Sequence, residues 1–450
     1  MSAPRVVVVG GGLAGITAAL RCADAGRAVD LLEAKPRLGG LTYSFRRGDL
    51  HVDNGQHVFL RCCTAYRALL HRLGVDELAT LQRRLDIPVQ SPGRGRPSRL
   101  RRNNLPAPLH LGWSLLTYAP LRPVERLRFI RAALAMRHLD IDDPATDAES
   151  FAGWLTAHRQ SPRAVEGLWN LVGRATLNVT ADQASLALAA MVFQVGLLTD
   201  AGAADIGWSR VPLGRLHGEA ALLALTDAGA TVRTNAKVES IAGDGARGWT
   251  VRLQGEEYVA DQVVVAVPPA AAEQLLPYGS LPLPAGWARR LGVSPIVNAH
   301  VVYDRQVLDE PFVAGVGTPI QWVFDRTEPA GLVSGQYLAV SLSAADGLVD
   351  LPVAEIREQI LAAVEVLLPA ARHAQVLDFF VTREREATFR ASPGTARLRP
   401  GPATGHPGLF VAGAWTATGW PATMESAVRS GGAAAAALLG QPVAEEVAAQ

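Results

Sequence analysis

The sequence predicts an α/β fold that begins with a strand, a glycine-rich turn, a helix and a second strand. Residues 5–9, RVVVV, contain the continuous apolar run 6–9, which is typical of a buried parallel strand. GGGLAG at 10–15 leads into ITAALRCADAG, in which apolar residues recur with helical spacing. AVDLLE at 28–33 supplies the second strand and ends in an acid. Together these elements predict a Rossmann-like domain at the start of the chain.

Length and charge limit the possible functions. The chain has 450 residues, 49% of them hydrophobic, which favours two or three globular domains. The formal net charge is +1 and acids and bases are mixed, so we exclude nucleic acid as a partner. No run reaches the roughly 18 apolar residues of a membrane span. We therefore expect a cytoplasmic protein, soluble or peripheral on the inner face of the membrane.

The cysteines indicate a reducing compartment. Cys22, Cys62 and Cys63 cannot form a disulfide framework, and no His or Cys spacing predicts a metal site. The adjacent pair, Cys62 and Cys63, is either a redox pair or two small buried residues that open the helix around TAYRALLHRLG. We prefer the second interpretation.

The first turn carries the dinucleotide fingerprint GxGxxG. Gly10 permits the tight turn, Gly12 lets the backbone approach a pyrophosphate, and Gly15 packs the helix against the strand. The helix N-terminus, with Leu13 and Ala14, offers N–H groups and a positive dipole end to the phosphates. Glu33 lies 23 positions after Gly10, where an acid binds ribose hydroxyls and disfavours a 2′-phosphate.

A second group of residues extends this site. FAD continues past its pyrophosphate into a ribityl chain and a flavin ring, so extra elements must accommodate it. Arg37 can neutralise phosphate charge, and Gly39 with Gly40 lets the cofactor pass close to the backbone. The spacing Glu33, Arg37, Gly39, Gly40 resembles the signature of the FAD-dependent amine oxidase and phytoene desaturase superfamily. This resemblance implies FAD rather than NAD, with Ala34 and Leu41 among its neighbours.

The resemblance also implies a domain organisation. An FAD-binding domain of the GR2 type would be interrupted by an inserted mixed-sheet and helical substrate domain. Single strands are expected within GATVRTNAKVESI (229–241) and YVADQVVVAVPP (258–269). The expected FAD-binding parts are 1–84, 206–274 and 396–440, the substrate parts are 85–205, mainly helical, and 275–395, and 441–450 is a tail.

Further cofactor contacts follow from the family pattern. The backbone near Val238 would contact adenine, and Gly55, Gln56 and His57 in DNGQH would pass beside the flavin. The last strand, turn and helix, 408–439, would contribute Gly413 and Ala414.

The N-terminus of that last helix, at Ala422, Thr423 and Met424, would point at the flavin pyrimidine ring and stabilise its negative charge. Ala414 departs from the family, because many relatives have an acid there. Either Gly413 and the backbone replace that contact, or the cofactor binds more weakly.

Three segments narrow the resemblance to hydroxysqualene dehydroxylases, FAD enzymes of bacterial hopanoid biosynthesis: 53–74, 175–185 and 420–431. This implies reductive removal of the hydroxyl of hydroxysqualene, an allylic alcohol, to give squalene, with an unidentified electron donor. Loss of water would leave an allylic cation, which hydride from reduced flavin quenches. The alternatives are a carotenoid (phytoene-type) desaturase, a flavin amine oxidase, or a non-catalytic lipid-binding protein of the GDP-dissociation-inhibitor type.

His57 is the candidate catalytic acid, because imidazole titrates near working pH. Alternatively, His57 only hydrogen-bonds flavin or backbone, with Asp53 structural at the turn. Asp182 in TADQAS is expected at a helix N-terminus. Arg174 and Asn178 are polar residues to which the sequence assigns no role.

One basic stretch allows two interpretations. RGRPSRLRR (94–102) precedes LPAPLHLGWSLLTYAPL (105–121). It is either a solvated loop leading into an ordinary core helix, or a segment that rests on an anionic membrane surface, which would suit a lipid substrate.

Overall fold

A computed structural model of the chain describes residues 3–243 and 248–442. Most of the predicted tail, 443–450, lies outside the described residues. The strands are β1 Arg5–Val9, β2 Ala28–Leu32, β3 Ser44–Arg47, β4 Leu50–Asp53, β5 Val58–Leu60, β6 Ala79–Leu81, β7 Asp86–Gln90, β8 Ser98–Arg101, β9 Ile206–Ser209, β10 Thr231–Arg233, β11 Ser240–Gly243, β12 Trp249–Leu253, β13 Glu256–Ala260, β14 Gln262–Val265, β15 Val293–Tyr303, β16 Phe312–Gly315, β17 Trp322–Asp325, β18 Gln336–Ser343, β19 Val376–Phe389 and β20 Leu409–Val411.

The helices lie between and after these strands. The α-helices are α1 Leu13–Asp24, α2 Thr64–Arg72, α3 Gly112–Thr117, α4 Pro123–Met136, α5 Pro144–Ala148, α6 Phe151–Ala157, α7 Pro162–Ala164, α8 Asn170–Leu177, α9 Leu186–Phe193, α10 Ala220–Asp227, α11 Pro269–Leu275, α12 Trp287–Leu291, α13 Thr327–Ala330, α14 Val353–Leu367 and α15 Met424–Leu439. Tighter 3₁₀ turns occur at Asp76–Leu78, Leu109–Leu111, Pro369–His373 and Ala396–Leu398, and wider π-helical turns at Val165–Trp169, Gln194–Leu198 and Gly214–Glu219.

The predicted nucleotide-binding sheet is present. Within the described residues it consists of five parallel strands in the order β10-β2-β1-β14-β20. β1 is central, and Val6, Val7 and Val8 are fully buried, because a parallel sheet is covered on both faces. The α/β prediction is confirmed.

The first and last segments of the chain form one unit. β20 joins the sheet beside β14, and α15 packs on α1. The two helices approach so closely that a Cβ on Gly431 would lie 2.1 Å from the carbonyl oxygen of Ala14. Only glycine fits at this crossing.

A second, mixed sheet lies beside the first. Its order is β19-β15-β18-β17-β16-β7-β8 in the described part of the chain, so strands from two distant segments build it. α14 packs its Ile356, Ile360 and Val364 onto an apolar cluster with this sheet. The helices between β8 and β9 pack around the buried ring of Trp169. This second unit agrees with a cofactor domain plus a substrate domain, and the exact domain boundaries stay a prediction.

Two predicted single strands are each divided. The stretch 229–241 gives β10 and β11, because Asn235 adopts a left-handed conformation (φ 54°) and its N–H donates to the carbonyl of Lys35. The stretch 258–269 gives the end of antiparallel β13 and parallel β14, with a corner at Asp261. The carboxylate of Asp261 accepts the N–H of Arg5 at 2.7 Å. Both single-strand predictions were wrong, since an apolar run does not reveal where its pairing partner changes.

The helix after TADQAS begins later than predicted. Ser185 is its N-cap, with Oγ accepting the N–H of Leu188, and Asp182 is exposed in the preceding turn. Asp182 is therefore not a helix N-terminal residue. Asn178 is buried and bonds Ser294, Thr388 and Ala344, which ties α8 to the mixed sheet.

The basic stretch 94–102 is a loop that leads into the strand β8. β8 pairs with β7, and Arg99 and Arg101 form ion pairs with Asp86. Arg102 pairs with Asp205 at 2.6 Å. The helix that follows, α3, has six residues and one exposed face, so it is not an ordinary core helix.

The helix crossing gives a stability prediction. Gly431→Ala should lower the free energy of unfolding by about 1–3 kcal/mol, because its methyl group overlaps the backbone of α1. Gly432→Ala is the matched control, since its Cβ would lie 3.3 Å from the movable guanidinium of Arg21. Denaturant unfolding of both variants measures the difference. Equal stability of the two would contradict the close crossing.

Candidate functional site

The candidate site lies at the carboxyl end of the parallel sheet, where two glycine turns cross. Gly10 has φ +107°, and a Cβ there would lie 2.4 Å from a carbonyl oxygen at the end of β14. Gly40 has φ +58°, and its Cβ would lie 2.9 Å from Cα of Gly12. The N–H of Gly39 donates to the carbonyl of Gly11 at 2.8 Å. Bare backbone therefore lines this end of the sheet, which fits a ligand that lies against the main chain.

The N-terminus of α1 opens at the same place. Gly12 is its N-cap and provides no side-chain hydrogen bond, and the first turn contains no acid. The first N–H groups are consequently available to an anion. Leu13 and Ala14 are buried, and a Cβ on Gly15 would lie 1.9 Å from the carbonyl oxygen of Gly10. The fingerprint glycines thus have the close contacts that their spacing predicts.

Glu33 is buried at the end of β2. Its carboxylate accepts the N–H of Gly11 at 2.6 Å and that of Lys35 at 2.7 Å. Its carbonyl accepts the N–H of Ala236, which places the buried Val238 segment beside it. The structure therefore brings the predicted ribose and adenine contacts together. Ala34 is exposed just after Glu33.

Arg37 is held beside the glycine pair. Its guanidinium stacks 3.4 Å from the ring centroid of Tyr43 and donates to the carbonyl of Gly40 at 3.2 Å. This fixes a positive charge next to the glycine crossing. Leu41, which follows, remains 44% exposed.

The DNGQH segment forms the bend between β4 and β5. A Cβ on Gly55 would lie 2.9 Å from Nδ2 of Asn298. Nε2 of Gln56 is buried without a hydrogen-bond partner among the described residues. A buried donor without a partner costs free energy, so the amide of Gln56 fits a ligand that supplies a hydrogen-bond acceptor. The residues present are therefore compatible with a bound flavin.

His57 is half-buried at this bend, with Nδ1 3.1 Å from the carbonyl oxygen of Gly55. Burial lowers the pKa of His57 below its ordinary value of 6.5, while the Gly55 carbonyl and the carboxylates of Asp53 and Glu384 act in the opposite direction. The protonated form of His57 is consequently a stronger acid than that of a histidine in water.

Polar residues of the mixed sheet reach the same bend, and sequence reasoning missed them. Arg326 pairs with Asp53 at 2.8 Å, and both side chains are buried. Glu384 accepts Nδ2 of Asn54 at 2.8 Å, and burial together with the charge of Glu384 raises the pKa of Tyr43. No sequence pattern marks them, because Arg326 and Glu384 lie more than 270 positions from their partners.

Asp53 is held rigidly by this network. Besides the ion pair with Arg326, its carboxylate accepts the N–H of Leu213 at 2.9 Å and the hydroxyl of Ser44 at 2.6 Å. These contacts support the interpretation that Asp53 has a structural role at the turn.

The last helix begins where the sequence predicts. Thr423 is the N-cap of α15, with Oγ1 accepting the N–H of Ser426 at 3.2 Å, and Met424 is the first helical residue. Ala422 packs against the main apolar cluster. Glu425 accepts the N–H groups of Ala65 and Tyr66, so it caps α2. α15 is thereby joined to the helix that follows the His57 bend.

The turn before α15 is held by hydrogen bonds between its backbone and two serines of the helix. Gly413 has φ +146°, and its N–H donates to Oγ of Ser430 at 2.8 Å. The carbonyl of Ala414 accepts Oγ of Ser426 at 3.0 Å.

A buried polar pair lies near His57. The hydroxyl of Tyr66 is 2.7 Å from Nε2 of His217. Burial, with a smaller effect of His57, lowers the pKa of His217 to about 3. Cys63, at the start of α2, is buried and Cys62 is half-buried, and both are free thiols. The neighbouring Cys62 side chain and burial raise the pKa of Cys63, so its thiol is protonated.

Two further observations concern the described residues only. In 3–243 and 248–442, no group of three or more His, Cys, Asp or Glu is arranged to hold a metal ion. The same residues contain no helix with both the length and the apolar character needed to cross a bilayer.

Comparison with known proteins gives consistent results. The family model "Flavin containing amine oxidoreductase" matches residues 13–439. The hydroxysqualene dehydroxylase of Sinorhizobium fredii is 29% identical, over 96% of this chain and 97% of that protein. The zeta-carotene desaturase of Synechocystis is 24% identical, over 97% of each chain. The solved structure of cyclohexylamine oxidase from Brevibacterium oxydans has a TM-score of 0.73 at 19% identity, covering 98% of this chain and 99% of that chain.

Glu33 gives a direct test of the cofactor site. Glu33→Ala should weaken FAD retention at least about tenfold, because it removes the ribose acceptor and the brace on Gly11. Asp24→Asn, an exposed acid at the far end of α1, is the control. Flavin absorbance after gel filtration and titration of the apoprotein with FAD measure the effect. Unchanged retention in Glu33→Ala would remove this residue from the site.

Proposed function

The chain belongs to the flavin-containing amine oxidoreductase family and is an FAD-dependent oxidoreductase; from this premise we propose that it removes the hydroxyl of hydroxysqualene reductively, giving squalene and water. The supporting observation is similarity along nearly the whole chain to proteins named hydroxysqualene dehydroxylase. Family membership sets aside a purely lipid-binding role. The proposal includes an unidentified electron donor and a substrate that reaches the enzyme from a membrane.

The described residues suggest how FAD is held. The N-terminus of α1, the crossed glycine turns and Arg37 would hold the pyrophosphate, and Glu33 the ribose. Adenine would lie near Val238. The flavin would lie between the His57 bend and the N-terminus of α15. When bound and reduced, FAD supplies the two electrons of the reaction as hydride.

We assign His57 the protonation of the leaving hydroxyl. As the proton moves from the imidazolium to the hydroxyl oxygen, the allylic carbon–oxygen bond breaks and water departs. The carboxylates of Asp53 and Glu384 favour the charged imidazole, which burial alone would disfavour. The positive charge left on the hydrocarbon is delocalised over the allylic carbons.

The surroundings of His57 suit an oily substrate. Val58 follows His57 and is opposite the half-buried Trp208 across the β5–β9 pair. The ring of Trp208 lies 5.5 Å from that of Phe312, the first residue of β16 in the mixed sheet. Apolar side chains here would exclude bulk water from the cation.

Product analysis tests the reaction. The FAD-loaded enzyme, reduced under anaerobic conditions, should convert hydroxysqualene to squalene, identified by gas chromatography and mass spectrometry. Parallel incubations contain phytoene and zeta-carotene, and amines with peroxide detection. Desaturation of a carotene without dehydroxylation would favour the desaturase alternative, and peroxide formation with amines would favour an amine oxidase.

The pH profile tests the assigned role of His57. Because the imidazolium is the donor and its pKa lies below 6.5, turnover should fall as pH rises through that pKa. His57→Ala should slow turnover about 100-fold or more and abolish this dependence, with FAD still bound. His373→Ala, which changes an exposed histidine in the turn after α14, is the control. An unchanged rate or profile in His57→Ala would exclude His57 as the donor.

A further inference from the structure

Exposed apolar side chains are concentrated in one part of the molecule. Of the eighteen large apolar residues that are strongly exposed in the described chain, seven lie between 105 and 134. Trp113 is 73% exposed and Leu109 60%. Surface apolar residues are normally scattered singly, so this concentration calls for a partner. We call the following six the 105–127 face: Leu105, Leu109, Trp113, Leu116, Val124 and Leu127.

The helical geometry makes this face continuous. The turn Leu109–Leu111 runs directly into α3, so residues 109, 113 and 116 point the same way, while His110 and Ser114 are buried on the opposite side. α4 exposes Val124 and Leu127 and buries its opposite stripe against the core. The side chain of Arg126 donates to the carbonyls of Leu116 and Leu121, which fixes α4 beside α3.

The charge around this face is strongly positive. Residues 91–138 contain ten arginines and one acid, Glu125, so their formal charge is +9, against +1 for the whole chain. Glu125 is buried, where its carboxylate caps α4 and accepts the hydroxyl of Ser161. Arg99, Arg101 and Arg102 are engaged by Asp86 and Asp205. The exposed arginines of this stretch include Arg96, Arg122, Arg128, Arg131 and Arg137.

We propose that the 105–127 face docks the protein onto the surface of an anionic lipid bilayer. Leu and Trp side chains on short helices would enter the interface, and the surrounding arginines would contact anionic headgroups. A second copy of the chain is disfavoured as the occupant, because a two-fold contact would place two strongly positive faces against each other. The docking proposal extends the proposed function, because it names the surface that contacts the membrane. It is argued only from the exposure of these apolar side chains and the positive charge around them.

Vesicle sedimentation of the FAD-loaded full chain tests this proposal. The protein should sediment with vesicles of phosphatidylcholine and phosphatidylglycerol, and much less with phosphatidylcholine alone. Raising the salt from 0.1 to 0.5 M should weaken binding, since exposed charges are screened. Trp113→Ser with Leu116→Ser should reduce partitioning about tenfold or more. Arg128→Gln with Arg131→Gln should reduce it roughly fivefold per arginine on anionic vesicles only.

Matched variants elsewhere control for surface changes. Tyr278→Ser with Val333→Ser removes two apolar side chains that are 98% and 100% exposed, and Arg289→Gln with Arg290→Gln removes two exposed arginines. These controls should bind vesicles like the parent protein. All the changed side chains are exposed, and retained flavin absorbance with an unchanged Tm verifies folding.

Three results would overturn the docking proposal. The first is that the parent protein binds neither kind of vesicle. The second is that Trp113→Ser with Leu116→Ser binds anionic vesicles as strongly as the parent protein. The third is that light scattering shows the parent protein as a dimer, which the same double variant dissociates, while the parent does not bind vesicles. The vesicles contain no substrate, so this outcome is independent of whether hydroxysqualene is the substrate. Turnover of the detergent-dissolved alcohol should be unchanged in the face variants.

Discussion

The approach of two bare backbone turns at the carboxyl end of the sheet is the contact on which the site depends. Gly12 and Gly40 lie so close that a Cβ on Gly40 would overlap the backbone of Gly12. The N–H of Gly39 also donates directly to the carbonyl of Gly11. Glu33 then holds the N–H of Gly11 at 2.6 Å. The first glycine turn, Glu33 and the glycine pair 39–40 therefore form one rigid unit. A dinucleotide can lie along this unit because the glycines leave the main chain accessible there.

The N-termini of three helices lie around this unit. At two of them, side chains of the protein accept the free N–H groups. α2 is capped by the carboxylate of Glu425, and α15 by the side chain of its own Thr423. The N-terminus of α1 has neither a side-chain cap nor an acid in its first turn. Its unpaired N–H groups and dipole are thus left for a phosphate. The same Glu425 also fixes α15 relative to the His57 bend.

The mixed sheet is locked to the cofactor domain by polar contacts at that bend. Breaking a buried ion pair such as Asp53–Arg326 by removing one partner typically costs about 3–5 kcal/mol. The bonds from Glu384 and Asn298 to Asn54 add to this constraint. His57 consequently lies near two fixed carboxylates, those of Asp53 and Glu384. On the outer surface, α4 carries Arg126, Arg128 and Arg131, and α3 beside it exposes Trp113 and Leu116.

The sequence by itself determined the cofactor end of the molecule. The patterns that predict this end are local, because each depends on neighbours within a few residues or one βαβ unit. They are the first strand, the glycine spacing, the acid Glu33 and the capped start of α15. The tertiary structure alone decided the other half of the site. Arg326, Glu384 and Asn298 meet Asp53 and Asn54 across more than 240 positions, and no periodicity or spacing encodes such a meeting. The division of 229–241 and 258–269 has the same origin, since strand pairing, and not strand propensity, decides where each strand ends.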